Sequence, residues 1–195
     1  MSNAKDNKKK NPNVPNLRFN NEEWNQSHIG SLFTVERGGS PRPIQNYLTK
    51  NPNGINWIKI GDASDDGYIY SAEEKIIPEG AFRSRKVFAG DLLLSNSMSF
   101  GKPYILKIDG CIHDGWLVIK DKQKRFDKEF LKNYLGSSFC ISQYKRLAAG
   151  GVVTNLNKEL VCNASICYPN LDTQKKISRF LCLLDSRIST QNKII

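Results

Sequence analysis

Acidic residues spaced with a lysine are the first group in this sequence with a chemistry to offer. Asp62, followed after a turn by Glu73-Glu74-Lys75, loosely matches the acid and acid-x-Lys arrangement in which carboxylates hold a metal and the ammonium steadies charge. A metal-dependent nuclease using Asp62, Glu73 and Lys75 is one reading of that set, and an exposed strand with ordinary surface charges is the other. Nucleophilic catalysis has less to work with. No G-x-S-x-G elbow occurs, and His28 and His113 are the only two histidines available as bases. Gly38-Gly39-Ser40-Pro41-Arg42 lacks the lysine and downstream spacing of a P-loop. A methyltransferase acting on a base amino group needs a P-P-aromatic loop to stack the flipped base. Asn11-Pro12-Asn13-Val14 and Asn51-Pro52-Asn53-Gly54 lack both the second proline and the aromatic. Cys111, Cys140, Cys162, Cys167 and Cys182 form no C-x-x-C pair, so free thiols are expected in place of a zinc site or disulfides.

Four polar loops carry cations beside amides and hydroxyls. The first runs from Arg37 through Ser40 to Arg42, flanked by glycines whose N–H groups suit a close approach to phosphate. The second is Arg83-Ser84-Arg85-Lys86. A third holds Asn96, Ser97, Ser99 and Lys102, and a fourth combines Lys145 and Arg146 with Thr154, Asn155 and Asn157. Arginine pairs bidentately with guanine and asparagine with adenine, so these residue types suit contact with DNA bases and phosphates. The charge agrees. Lys and Arg total 29 against 19 Asp and Glu, a net of +10, of which residues 1–20 supply +4. The remaining +6 still describes a basic domain, which favours a polyanionic partner.

These loops need a scaffold. Short β-type runs recur at Leu32–Val35, Ile55–Ile60, Tyr68–Tyr70, Lys75–Ile77, Asp91–Ser95, Tyr104–Ile108 and Cys111–Ile119. Asn53-Gly54, Asp66-Gly67, Glu79-Gly80 and Asp109-Gly110 are the predicted reversals, since glycine tolerates positive φ. A helix capped by Asp127 is predicted to about Arg146, weakened in its middle by Gly136. A last helix starts at a cap on Asp172 or Thr173. Ile177, Leu181, Leu184, Ile188, Gln191 and Ile195 follow in the 4-3-4-3-4 spacing of a coiled-coil seam. The class is therefore α+β: a mixed or antiparallel sheet with flanking helices and a long C-terminal coiled-coil-type helix. Residues 1–22, polar and lysine-rich, are expected to be a disordered basic tail, followed by a domain on 23–170 and a spacer or dimerisation helix on 172–195. No stretch approaches the roughly 20 apolar residues of a membrane span, and a soluble protein is expected.

The order of these pieces resembles the specificity subunit of type I restriction-modification enzymes. The resemblance is carried by Arg37-Gly38-Gly39-Ser40-Pro41-Arg42-Pro43, Trp57-Ile58-Lys59-Ile60-Gly61-Asp62, Gly90-Asp91-Leu92-Leu93-Leu94-Ser95 and Gly115-Trp116-Leu117-Val118-Ile119. It continues through Phe130-Leu131, Tyr134-Leu135 and Gly150-Gly151 to Asn155-Leu156. It closes on Pro169-x-Leu171-x-x-Gln174-Lys175-Lys176-Ile177, Phe180-Leu181 and Leu184-Asp185. It implies one target-recognition domain and a conserved helix, binding one half of a bipartite duplex DNA site in a cytoplasmic (bacterial or archaeal) defence against foreign DNA. It also implies no catalysis and no cofactor in this chain. S-adenosylmethionine, ATP and Mg belong, by the same resemblance, to partner methyltransferase and restriction subunits that methylate or cleave DNA. The sequence departs from the family in having one recognition domain, a helix of about 36 Å from Asp172 to Ile195, and Thr173 where the family often has Glu. A homodimer through that helix would set two domains about one DNA turn apart. The nuclease reading and a non-DNA coiled-coil interaction module stand as alternatives.

Overall fold

The computed structural model describes residues 23–96, 100–148 and 155–192. The elements, in chain order, are β1 (Asn25–His28), α1 (Ile29–Leu32), β2 (Thr34–Arg37), β3 (Leu48–Thr49), β4 (Ile55–Ile58), β5 (Tyr68–Ile69) and β6 (Glu74–Ile76). Next come α2 (Pro78–Ala81), β7 (Arg85–Val87), β8 (Leu92–Ser95), β9 (Pro103–Leu106), β10 (Gly110–Ile112) and β11 (Trp116–Lys120). The chain finishes with α3 (Lys128–Leu135), α4 (Ser138–Ala148), α5 (Lys158–Asn163), β12 (Ser165–Tyr168) and α6 (Leu171–Asn192).

Among the described residues the strands form two five-stranded sheets and a two-stranded one. Their orders are β3-β6-β4-β10-β7, β2-β11-β8-β9-β5 and β1-β12. Most pairs are antiparallel, while β10 runs parallel to β4 and β5 parallel to β9, so the expected mixed sheet is what forms. In the second sheet, Leu92 and Leu94 of β8 with Leu117 and Ile119 of β11 pack in one core with Phe130, Leu131 and Tyr144. Their alternate neighbours Leu93, Trp116 and Val118 pack in another with Ile58, Val87 and Ile112 of the first sheet. The period of two sends successive side chains to opposite faces, and both faces of β8 and β11 are covered. That explains why these strands are nearly continuous apolar runs.

Several expectations are corrected. The Cys111–Ile119 run is two strands, split at His113-Asp114-Gly115, so that β10 and β11 belong to different sheets. The Asp127–Arg146 helix is also two. Asp127 caps α3 as expected, accepting the Phe130 N–H at 2.9 Å. The chain then stops at Gly136 and restarts with the Ser137 hydroxyl accepting the Cys140 N–H, a new N-cap. Among the four predicted reversals only Gly67 has positive φ, at 84°, and Gly80 lies within α2. Asn170, not Asp172 or Thr173, caps α6, its side chain accepting the Thr173 N–H at 2.9 Å. Among the described residues no helix is long and apolar enough to cross a membrane.

Candidate nucleic-acid interface

The crossing from β10 to β11 carries the chain from one sheet to the other, and the first two basic loops, with Asn96 of the third, converge on it. His113 N–H donates to the Ile58 carbonyl at 3.1 Å, holding the crossing to β4. The loop after β2 then passes so close that a Cβ on Gly38 would lie 2.1 Å from the His113 carbonyl oxygen. Only glycine fits. The Gly38 and Gly39 N–H groups, expected to approach phosphate, donate instead to the Trp116 and Ile112 carbonyls at 2.9 and 3.1 Å. The glycines therefore lock the loop onto the sheet junction.

Asp114 organises the cations there. Its carboxylate accepts from Ser40 Oγ at 3.0 Å and from Arg42 Nη2 at 3.4 Å, and its carbonyl accepts from Arg37 Nε at 3.0 Å and Asn96 Nδ2 at 2.8 Å. The Gly115 N–H donates to His113 Nδ1 at 2.9 Å, so the proton of that ring sits on Nε2, 3.0 Å from Asp114 Oδ1. Burial pushes the Asp114 carboxyl up. The Ser40 hydroxyl and the nearby His113, Arg37 and Arg42 outweigh this and hold it below its ordinary value. The acid is thus a charged anchor beneath the arginines. Arg42 itself stays 82% exposed, with its guanidinium available to a ligand.

A second acid does the same nearby. Glu36 takes Lys120 Nζ at 3.1 Å and Arg85 Nη1 at 3.2 Å, and Arg85 Nε donates to the Arg37 carbonyl at 3.4 Å. The hydrogen bond from Lys120 lowers the Glu36 carboxyl, opposed by burial and helped by the Lys120 and Arg85 charges. The structure therefore brings Arg37, Ser40, Arg42, Arg85 and Asn96 into one connected network. Arg83 and Lys86 are exposed on either side of the Ser84-Arg85 pair, and the Arg83 guanidinium lies over the Tyr47 ring at 5.6 Å. Lys102 joins the same end of the sheet, since its N–H donates to Ser95 Oγ at 3.0 Å.

Two expected contact residues have other work. Asn96 is 3% exposed, its side chain holding the Asp114 carbonyl while its own carbonyl accepts the Leu156 N–H at 2.8 Å. It positions the junction and the 155–157 loop. Asn157 caps α5, accepting the Leu160 N–H at 2.8 Å. Asn155, Lys145 and Arg146 are exposed. Ser97, Ser99 and Thr154, with Ile195 of the seam and the 1–22 tail, lie outside the described residues. Asp114, Glu36 and His113 were not singled out as functional from sequence. The Asp114-Gly115 turn dipeptide was the available signal for the first.

The acid–lysine set does not assemble as a metal centre. Both Asp62 oxygens accept backbone N–H groups, from Lys59 at 2.6 Å and Glu73 at 3.0 Å. The Lys59 ammonium lies 3.6 Å from Glu73 and 3.0 Å from Glu74, and Lys75 donates to the Pro52 carbonyl. Among the described residues no three His, Cys, Asp or Glu side chains converge as metal ligands. Burial pushes the Cys140 thiol up to about 12 and raises Cys111 and Cys167 as well, which suits unreactive packing thiols.

With this geometry in place, a family model described as the type I restriction modification DNA specificity domain matches residues 21–195. The chain belongs to that family. Solved structures share its fold. The HsdS subunit from Thermoanaerobacter tengcongensis superposes with a TM-score of 0.69 at 17% identity, over 92% of this chain and 41% of that one. A chain from a type I R-M system, studied for complex assembly and conformational transition, gives 0.66 at 16%, over 92% and 42%. The S subunit of the M. genitalium type I system gives 0.59 at 13%, over 88% and 41%. The chain thus spans about two fifths of the length of these specificity subunits.

The specificity-domain helix α6 is anchored at its start and open beyond. Gln174 Oε1 accepts the Asp127 N–H at 3.0 Å, and its Nε2 donates to the Pro169 and Arg125 carbonyls at 3.0 and 3.3 Å. Ser178 Oγ donates to Asp127 Oδ1. Thr173, Gln174 and Ser178 are buried by this docking. Ile177, the first seam position, packs against the domain core and Leu181 is half-buried, whereas Leu184, Ile188 and Gln191 are exposed. Phe180 and Leu183 widen the exposed apolar stripe.

Proposed function

We propose that this chain binds duplex DNA sequence-specifically, reading one half of a bipartite site for a type I restriction-modification assembly. The observation that carries this is the Asp114 hub, whose main-chain carbonyl holds Arg37 Nε at 3.0 Å and whose carboxylate pairs with Arg42 at 3.4 Å. Readout of base edges needs donors held in place, and arginine braced by an acid is such a donor. Arg83, Lys86 and Lys102 surround the hub as phosphate contacts. The chain itself supplies recognition and no catalysis. S-adenosylmethionine, ATP and Mg serve methyltransferase and restriction subunits in the cytoplasm. Residues 23–170 are the recognition domain, and 172–195 form the spacer, whose exposed stripe from Phe180 to Ile188 takes a second copy or a partner subunit. The test is selection from a random duplex pool at moderate salt, with and without the methyltransferase subunit. An enriched motif supports the reading. Absence of any motif under both conditions contradicts it.

A further inference from the structure

Phe82 is 88% exposed, although a phenyl ring is ordinarily among the most buried side chains. It follows α2, and its backbone is held firmly. Its N–H donates to the Pro78 carbonyl at 3.2 Å, and the next two N–H groups donate to Gly80 and Ala81 at 3.1 and 3.2 Å. Beneath it Ala81 is buried, and Gly80 packs so tightly on Tyr47 that a Cβ there would meet the Tyr47 Cβ at 2.9 Å. The ring is therefore presented outward by a rigid turn. It does not hang from a loose loop.

Cations follow this ring in the chain. Arg83, Arg85 and Lys86 follow within four residues, all exposed. The same turn touches the arginine loop, since a Cβ on Gly39 would lie 3.2 Å from the Arg83 carbonyl oxygen. Ser84 Oγ donates to the Ile112 carbonyl and Arg85 Nε to the Arg37 carbonyl, tying the turn to the Asp114 junction. The other exposed rings of the domain differ. Tyr70 donates its hydroxyl to Asp66 at 2.8 Å, and Phe88 lines a separate cleft. An outward apolar ring on a held turn, next to exposed cations, matches the side chains that enter a base step and unstack it.

We infer that Phe82 is a DNA wedge, inserting between stacked bases while the exposed Arg83 and Lys86 hold the flanking phosphates. This rests on the DNA reading above and adds its mode of contact. Phe82→Ala and Phe82→Trp are measured in the full chain on a duplex recovered from the random pool, or on a 30-base-pair mixed-sequence duplex at low salt. At 88% exposure neither change disturbs packing, and circular dichroism checks this. Phe82→Ala is expected to weaken binding about 10-fold, the range of base–aromatic stacking, without changing the slope of affinity against salt, because no phosphate contact is lost. Phe82→Trp is expected to keep affinity, and its added emission is quenched when DNA binds. Phe82→Ala binding within about twofold of the parent overturns the wedge and leaves the DNA reading intact. So does Phe82→Trp emission that DNA leaves unquenched. A parent chain with no duplex affinity overturns both.

Discussion

At one end of the β2-β11-β8 sheet, Arg37 and Arg42 are tied to Asp114, and Arg85 to Glu36. At the other end, where Leu92, Ile119 and Lys120 lie, Lys122, Lys124 and Lys128 line a cleft of about 670 Å³ with Phe88, Phe126 and Leu131. Lys120, which also lines that cleft, is paired with Glu36 at 3.1 Å, while no ion pair among the described residues involves the other three lysines. The two ends carry the same sign of charge in different forms. A guanidinium braced by an acid keeps its fork in one geometry, whereas an ammonium on a free four-carbon stem is a mobile point charge. Fixed forks suit the discrimination of bases, and mobile charges suit long-range attraction. Net charge alone does not distinguish them. The acids beneath the cations do.

The comparison breaks most severely if the junction itself is distorted. Gly38→Ala forces a Cβ onto the His113 carbonyl, and a loss on the order of 3 kcal/mol is expected, measured by denaturant unfolding. A variant as stable as the parent would show that the junction yields. Next, Asp114→Asn removes the negative charge that pairs with Arg42, while the main-chain carbonyl that holds Arg37 remains. Affinity for a selected duplex should fall about 10-fold while binding to unrelated DNA holds or tightens, so the ratio between them is the readout. Equal loss on both sequences would reduce Asp114 to a fold residue. Arg42→Ala and Lys102→Ala should each weaken duplex binding by about 1 kcal/mol, and unchanged affinity at low and moderate salt would remove those loops from the interface.

A pH titration sharpens the same contrast. Because the Asp114 carboxyl is held below its ordinary value of 3.8, its contribution is complete above that value. It is lost as pH falls through the lower folded value. The parent should therefore show an acid-side loss of stability that Asp114→Asn lacks, followed by thermal unfolding across that range. The smallest effect belongs to the lysine end. Lys122→Ala, Lys124→Ala and Lys128→Ala together should change affinity at moderate salt by less than about threefold, since only screened attraction is removed.

Legibility in the sequence followed the range of the interactions. Leu92–Leu94 and Trp116–Ile119 announce buried strands because both of their faces meet apolar partners. The start of α6 is marked by Pro169 and its spacing by Ile177, Leu181, Leu184 and Ile188. β7 has no apolar alternation to announce it, since Arg85 and Lys86 are cations, although its ladder to β10 needs only backbone groups. β1 and β12 are brought together across the whole domain, and the polar Asn25-Gln26-Ser27-His28 gives no local sign of it. In the site, composition marked the arginines but not their anchors. Asp114 lies 77 residues from Arg37 and 72 from Arg42, so only the fold puts acid under cation. Asn96 and Asn157 have the chemistry to read adenine, yet burial of one and capping by the other commit them to the scaffold.

The most direct measurement is amide hydrogen exchange of the chain with and without a duplex recovered from the random pool. The account expects DNA to protect 37–42, 82–86 and 113–115, at the braced arginine end, and to leave 120–128 unchanged. Protection confined to 120–128, with the Asp114 junction exchanging as in the free protein, would contradict it.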